Sequence, residues 1–415
     1  MRIIYLHQYF NTPQMSGGTR SFEMAKRFVS QGHEVHVVTS FRENTKRKGW
    51  FKTKEQGIHV HWLSVPYSNK MSFARRNLAF AHFAFAALKR AIDLNGDVIL
   101  ATSTPLTIAI PGVGASKFLN VPMVFEVRDL WPELPIAVGA LKNPLSRTLA
   151  LWLERFAYRN AKRIVALSPG MRDGIVRTGY PSENIRVIPN SCDITRFRGE
   201  GVSAERFLAK YPHLRGKQLV MYTGTMGLIN GVSYLVYIAA EMKKLKPDVH
   251  FVVIGSGKEE HKVRLEAERN GVLGINFTLL PRLAKAEMPD ALAAATIATS
   301  LFVDLPQMWH NSANKFFDAL AAGRPVMINY QGWHADIIRK NGLGIVVPAN
   351  HAEHAAHLLA DFLNDPVSIR NAGVAAARIA EEEFDRDLLA SQLLEVLEDA
   401  VGVRSKLRTI LQEPY

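Results

Sequence analysis

The chain has 415 residues, 47% hydrophobic and 21% charged, the composition of a folded protein of about two domains, which excludes a disordered chain. One cysteine, Cys192, excludes an intramolecular disulfide framework and a multi-cysteine zinc site, and fits a reducing compartment. The net charge is +13, yet residues 1–200 hold 28 Lys and Arg against 14 Asp and Glu, so all the excess positive charge lies in the first half and points to an anionic partner: membrane, nucleic acid or phosphorylated substrate.

In chain order, MRIIYLHQYF is too short and too interrupted for a signal peptide and reads as a first strand. No stretch has the roughly 20 uninterrupted apolar residues that span a bilayer. Apolar runs at RIIYL, HEVHVVT, IHVHWLSV, DVILAT, VPMVFEV, RIVALS and IRVIP alternate with helical patterns. The second half repeats that rhythm with QLVMYTG, VHFVVIG, INFTLL, IATSLF, PVMIN and GIVVP. Two such series predict two doubly wound, Rossmann-like α/β domains, 1–200 and 201–399, with a helix at about 400–415, basic in VRSKLRTIL, crossing back to the first. Ligands of such sheets gather beyond the strands' C-terminal ends.

MSGGTRSFEMAKRF follows the first strand, and Gly17 and Gly18 let backbone approach a ligand at a helix N-terminus. The plainer alternative is a tight turn capped by Ser16 or Thr19. It is not GxGxxG and no acidic residue ends the second strand, so a dinucleotide site is disfavoured. TKRKGWFKTK, residues 45–54, reads as a basic loop whose Trp50 and Phe51 suit an anionic membrane surface or simply solvent. MSFARRNLAFAHFAFAALKRA, residues 71–91, is a helix whose Phe73, Phe80, Phe83 and Phe85 are core or an open face for a lipid-linked acceptor.

FEVRDLWPELP closes the fifth run, and Arg128 and Asp129 at its end are an ion pair with surface neighbours or groups that orient an acceptor hydroxyl. YTGTMGLING offers Gly224, Gly227 and Gly231 as a phosphate cradle of backbone amides, with Thr225 and Asn230 as added hydrogen bonders. In HNSANKFFDALAAGRPV a helix begins near Ala313 or Asn314, buries Phe316, Phe317 and Leu320, and ends at Gly323. Lys315 then lies in the first turn, where a cation opposes the helix dipole, and a bound diphosphate explains it. Asp318 can accept two hydrogen bonds from a ribose diol, the alternative being a local Lys315–Asp318 pair. No HxxH, HExxH or Cys/His cluster occurs, so no metal is expected.

With these residues in place, the sequence resembles GT-B glycosyltransferases, specifically retaining family 4. The carriers are GG after strand one, GHEVHVVT, VIPNSCD at the hinge and the K-x-x-D-A-L-A-A-G-R-P-V block. RDLWPE with NKFFDALAAG is most similar to WbuB-type N-acetyl-L-fucosamine transferases of bacterial O-antigen assembly. The resemblance implies a UDP-sugar donor held as substrate with no cofactor and no metal. It also implies a sugar acceptor on undecaprenyl diphosphate, retention, and a cytoplasmic enzyme peripheral on the inner membrane face. The family's Glu-x7-Glu pair falls on His310 and Asp318, its phosphate-binding Arg and Lys near Thr225 and Asn230, and its His-Asp histidine on Arg128. Lys315 and Arg282 are expected to supply the missing phosphate charges, with Asn314 beside them at the helix start. A GT-B nucleotide-sugar 2-epimerase, needing no acceptor, is the alternative. A nucleic-acid-binding protein is less favoured because no recognition motif is present.

Overall fold

The computed structural model describes residues 1–15, 17–42, 47–65, 73–139 and 141–402, with backbone alone for 73–77. Ser16, Thr45, Lys46, the Phe73 side chain and the VRSKLRTIL run lie outside the described residues.

The chain divides into two units, one of Met1–Pro189 with the chain from Asp387, the other of Asn190–Arg386. The exchanges therefore fall at Pro189 and Asp387, where the sequence reading puts them at 200 and 400. The return to the first unit comes early because the apolar residues that complete its core start at Leu389.

Eight strands of the first unit run Arg2–Leu6 (β1), Glu34–Phe41 (β2), Trp50–Glu55 (β3), Ile58–Ser64 (β4), Val98–Thr102 (β5), Met123–Val127 (β6), Arg163–Ala166 (β7) and Ile185–Val187 (β8). They form one sheet in the order β3-β4-β2-β1-β5-β6-β7-β8, parallel except where β3 pairs antiparallel with β4. Within the segment read as a loop, residues 50–54 are instead part of β3, and VPMVFEV becomes the sixth strand. The helices used below are Arg20–Ser30 (α1), Phe73–Leu94 (α2), Ala109–Leu119 (α3) and Pro144–Arg159 (α4), then Asn314–Ala321 (α5) in the second unit and Arg386–Val401 (α6).

The period-2 pleat sends Ile4 and Leu6 to one face of the sheet and Ile3 and Tyr5 to the other. Helices α2, α3 and α4 cover the first face through Phe83, Val113 and Ala157. Helices α1 and α6 cover the second through Phe28, Leu393 and Leu397. Burial on both faces is why the central strands read as continuous apolar runs.

The second unit has six parallel strands, Gln218–Thr225 (β9), Val249–Ser256 (β10), Phe277–Leu280 (β11), Ile297–Ser300 (β12), Val326–Ile328 (β13) and Gly344–Val346 (β14), ordered β11-β10-β9-β12-β13-β14. Helix α5 runs from Asn314 to Ala321, buries Phe316, Phe317 and Leu320, and is closed by Gly323 at φ +61°.

Candidate functional site

In the second unit, β9 and β10 approach closely near their ends. A Cβ on Gly255 would lie 1.8 Å from the Gly224 carbonyl oxygen, so only glycine fits at 255, and Gly224, at φ +141°, presents bare backbone beside it. The nearest side chain to Gly224 is Lys315, whose Cε would stand 3.7 Å from an added Cβ. The glycine turn and the α5 lysine, 91 positions apart, thus share one place at the strands' C-terminal ends. Arg282, beyond β11, joins the same end, its guanidinium donating to the Ser256 hydroxyl at 3.1 Å.

Among the described residues, Lys315 has no carboxylate partner. Its ammonium donates to the Tyr222 hydroxyl at 3.0 Å, and the Tyr222 and Phe302 rings lie 4.6 and 5.3 Å away. Burial without an opposing charge pushes the amine down to about 7. The local Lys315–Asp318 pair is not formed among the described residues. Phe302 is itself held by Asn329, which accepts from its N–H at 3.0 Å and donates to its carbonyl at 2.8 Å. Neither aromatic was signalled by the sequence, where each is an ordinary apolar residue of a strand or its end.

Asp318 accepts no hydrogen bond among the described residues. Burial pushes its carboxyl up to about 6, against the pull of Arg386 and Arg196 and with a push from Asp193. Arg386 is committed to Asp193 at 2.8 Å. A carboxylate that desolvation penalises and no local donor satisfies is suited to a diol from outside. Asn314 opens α5 and is exposed, behind an Ala313 cap that offers no side-chain hydrogen bond. His310 ends the short 3-10 turn Pro306–His310 and is half-buried.

The turn after β9 is closed by Asn230, whose side-chain oxygen accepts from the Gly227 N–H at 3.2 Å, while its amide nitrogen can still donate to a ligand. Thr225 contributes its carbonyl to the Tyr222 hydroxyl at 2.8 Å, which helps fix the ring beside Lys315.

In the first unit, Gly17 has φ +115°, and a Cβ there would meet the Asn11 amide nitrogen at 2.7 Å. That amide donates to the Gly18 carbonyl at 3.1 Å, and Arg42 donates to the Asn11 oxygen. Thr19 occupies the N-cap of α1 but makes no side-chain cap bond, and the two glycines before it are exposed. Arg20, next in line, is buried, pairs with Glu126 at 2.9 Å and donates to the Ile188 carbonyl at 3.0 Å and to that of Pro189.

Arg128 and Asp129 follow β6. The Arg128 N–H donates to the Ser103 hydroxyl at 2.9 Å, and its guanidinium stands 3.4 Å from His7 Nε2. Burial, then Arg128 and Arg42, hold His7 well below the usual imidazole range, so it is neutral. Thr104 donates to Asp129 at 3.4 Å. Surrounding protein raises the Asp129 carboxyl and Arg128 opposes it, but Asp129 is exposed and water screens both influences. The sequence singled out Arg128 and Asp129 but not His7, a strand-end histidine 121 positions away.

Two family models match the chain, a glycosyl transferase 4-like domain over residues 17–191 and the glycosyl transferases group 1 over 217–365. Alpha-maltose-1-phosphate synthase of Mycolicibacterium smegmatis is 27% identical over 82% of this chain and 90% of its own. Among solved structures, Anabaena HepE, in complex with UDP and glucose, superposes with a TM-score of 0.71 at 16% identity over 96% of this chain and 100% of that one. WaaG, a glycosyltransferase involved in lipopolysaccharide biosynthesis, does so with a TM-score of 0.70 at 15% identity over 95% of this chain and 99% of its own.

Proposed function

The chain belongs to the GT-B glycosyltransferases of the family 4 type, and we propose that it moves a sugar from a UDP-sugar to a lipid-diphosphate-linked sugar in O-antigen or capsule assembly. The observation that carries the donor side is the Lys315 ammonium, unpaired with any carboxylate and set against Gly224 at the strand ends. An anion is what completes it. The diphosphate sits on Lys315, Arg282, the first amides of α5 and the bare backbone of Gly224 and Thr225. Asp318 takes the ribose hydroxyls. HepE forms a complex with UDP and glucose, and WaaG is involved in lipopolysaccharide biosynthesis, which supports the donor class and the kind of product. The WbuB-type resemblance favours N-acetyl-L-fucosamine as the sugar.

As the anomeric carbon–oxygen bond to UDP breaks, charge grows on the β-phosphate, where fixed cations and amides stabilise it without reorganising. The acceptor hydroxyl oxygen forms the new bond and its proton leaves with the diphosphate. On the first unit, Arg128 and Asp129 orient that hydroxyl. Retention follows from the family 4 resemblance, and fixed cations and helix amides can stabilise departing UDP without an added metal.

Purified protein, a panel of UDP-sugars and a polyprenyl-diphosphate-linked sugar test this directly. UDP release that requires the acceptor, persists in EDTA and yields a product of unchanged anomeric configuration by NMR is expected. Epimer formation without acceptor would instead make the chain a 2-epimerase. Asp318→Asn is expected to raise the KM for the UDP-sugar about tenfold, the value of a lost hydrogen bond to a charged group. Its melting temperature above pH 6 should be no lower than the parent's, because the carboxyl raised to about 6 opposes folding once ionised.

A further inference from the structure

Helix α4 has two apolar faces, and only one is spent on the core. Ala150, Leu153 and Ala157 face the sheet. Leu145, Leu149 and Trp152 recur at i, i+4 and i+7 and are 76, 62 and 57% exposed, with Trp152 stacked on Phe156 at 5.2 Å. The stripe covers about two turns, roughly 10 Å of helix. Large apolar residues aligned on one outward stripe are not the scattered exposure normal for a protein surface. The neighbouring helices of the same layer also expose large apolar side chains, Phe118 of α3 and Phe85 of α2 at 72 and 70%.

Basic groups rim the stripe. Arg155 and Arg159 line a recess with Leu151, Trp152 and Phe156, so guanidinium and aromatic share one wall. A second recess of about 530 Å3 at the C-terminal end of α4 is lined by Arg155, Arg159, Lys162 and Arg163, with no acidic residue in either lining. Among the described residues, Arg155, Arg159 and Lys162 enter no ion pair. The basic segment singled out in the sequence is less suited to this role, because its aromatics are occupied. Phe51 stacks on Trp62 at 6.2 Å, and Trp50 lies under Arg90 at 4.6 Å.

We propose that the outward face of α4 is a docking surface for an anionic lipid bilayer, with Leu145, Leu149 and Trp152 entering the interface and Arg155, Arg159 and Lys162 on lipid phosphates. The charge pattern selects this occupant: an apolar stripe bordered by unpaired cations is the pattern of a helix lying in a membrane interface. A protein partner or second copy would have to bring its own carboxylates to meet them. The proposal goes beyond the transfer reaction. Vesicle binding needs no donor, so its failure would leave the account of Lys315 untouched.

Flotation of the full chain with phosphatidylethanolamine–phosphatidylglycerol vesicles, against phosphatidylcholine vesicles, tests it. Binding to the anionic vesicles alone, weakening with salt, is expected. The double variants L149E/W152E and R155E/R159E should each lower the bound fraction about tenfold or more. Both change exposed side chains and should keep the parent's melting temperature, while K48E/K52E should float as the parent does. The parent's tryptophan emission should shift blue on binding, and Trp152→Phe should remove most of that shift. Flotation unchanged in both α4 variants overturns the proposal. So does a parent that ignores vesicles but sediments as a dimer that L149E/W152E converts to monomer.

Discussion

Replacing Lys315 with Met is expected to cost roughly a hundredfold to a thousandfold in kcat, the effect of removing one preorganised group from a developing oxyanion. The same change should leave the protein at least as stable as its parent at neutral pH. An unfolded lysine titrates near 10.4, whereas Lys315 in the fold titrates at about 7. Between those values the unfolded chain holds a proton that the folded chain lacks, so stability rises with pH across this window and the ammonium opposes folding below it. Methionine keeps the stem and removes that cost. The loss of activity and the retention of stability should therefore separate cleanly in parallel kinetics and thermal melts. A diphosphate beside the amine favours its charged form, so UDP binding above pH 7 should take up a proton and weaken as pH rises. Calorimetry in buffers of different ionisation enthalpy reads that uptake, which Lys315→Met should abolish. Equal proton uptake by parent and variant would remove Lys315 from the diphosphate site.

Arg20→Ala is expected to destabilise the first unit by about 3–5 kcal/mol, the usual consequence of leaving a buried charge unpaired. Its side chain and that of Glu126 are 3 and 0% exposed, so water cannot replace either partner. Burial alone would raise the Glu126 carboxyl, but Arg20 and Arg128, with hydrogen bonds from Thr102 and Arg20, outweigh it and hold the group below its ordinary range. A depressed carboxyl contributes stability above its unfolded value of about 4.3 and loses it as pH falls through the lower folded value. The Arg20→Ala penalty should accordingly be full at pH 7 and shrink in acid, as urea unfolding at both pH values would show. Arg20→Met combined with Glu126→Leu should recover much of the loss, since the pair then leaves no orphaned charge.

The doubly wound architecture was readable because strands buried on both faces carry unbroken apolar runs, and these locate thirteen of the strands. The missing one, β3, lies at the sheet edge, and its Lys52 and Lys54 point to solvent. Lysines on an edge strand discourage pairing with another chain, and they also make WFKTKE look like a basic loop. Within the site, Lys315 could be found because a cation in a helix's first turn contradicts the dipole. Tyr222 and Phe302 could not, because their value lies in proximity to an amine 93 and 13 positions away. Asn230 was legible as a polar turn residue, and its oxygen also closes the turn itself.

The first unit contains the chain on both sides of the second, and α6 supplies Leu389, Leu393 and Leu397 to its core. On a ribosome, residues 190–386 emerge as a continuous stretch and can mature while the chain is still growing. The first unit must wait, with one face of its sheet covered by α1 alone, until the stretch up to Val401 has left the exit tunnel. Nascent chains arrested before α6 should thus show a protease-resistant core from the later segment and a sensitive one from the earlier. The part of the protein made first would be the last to finish.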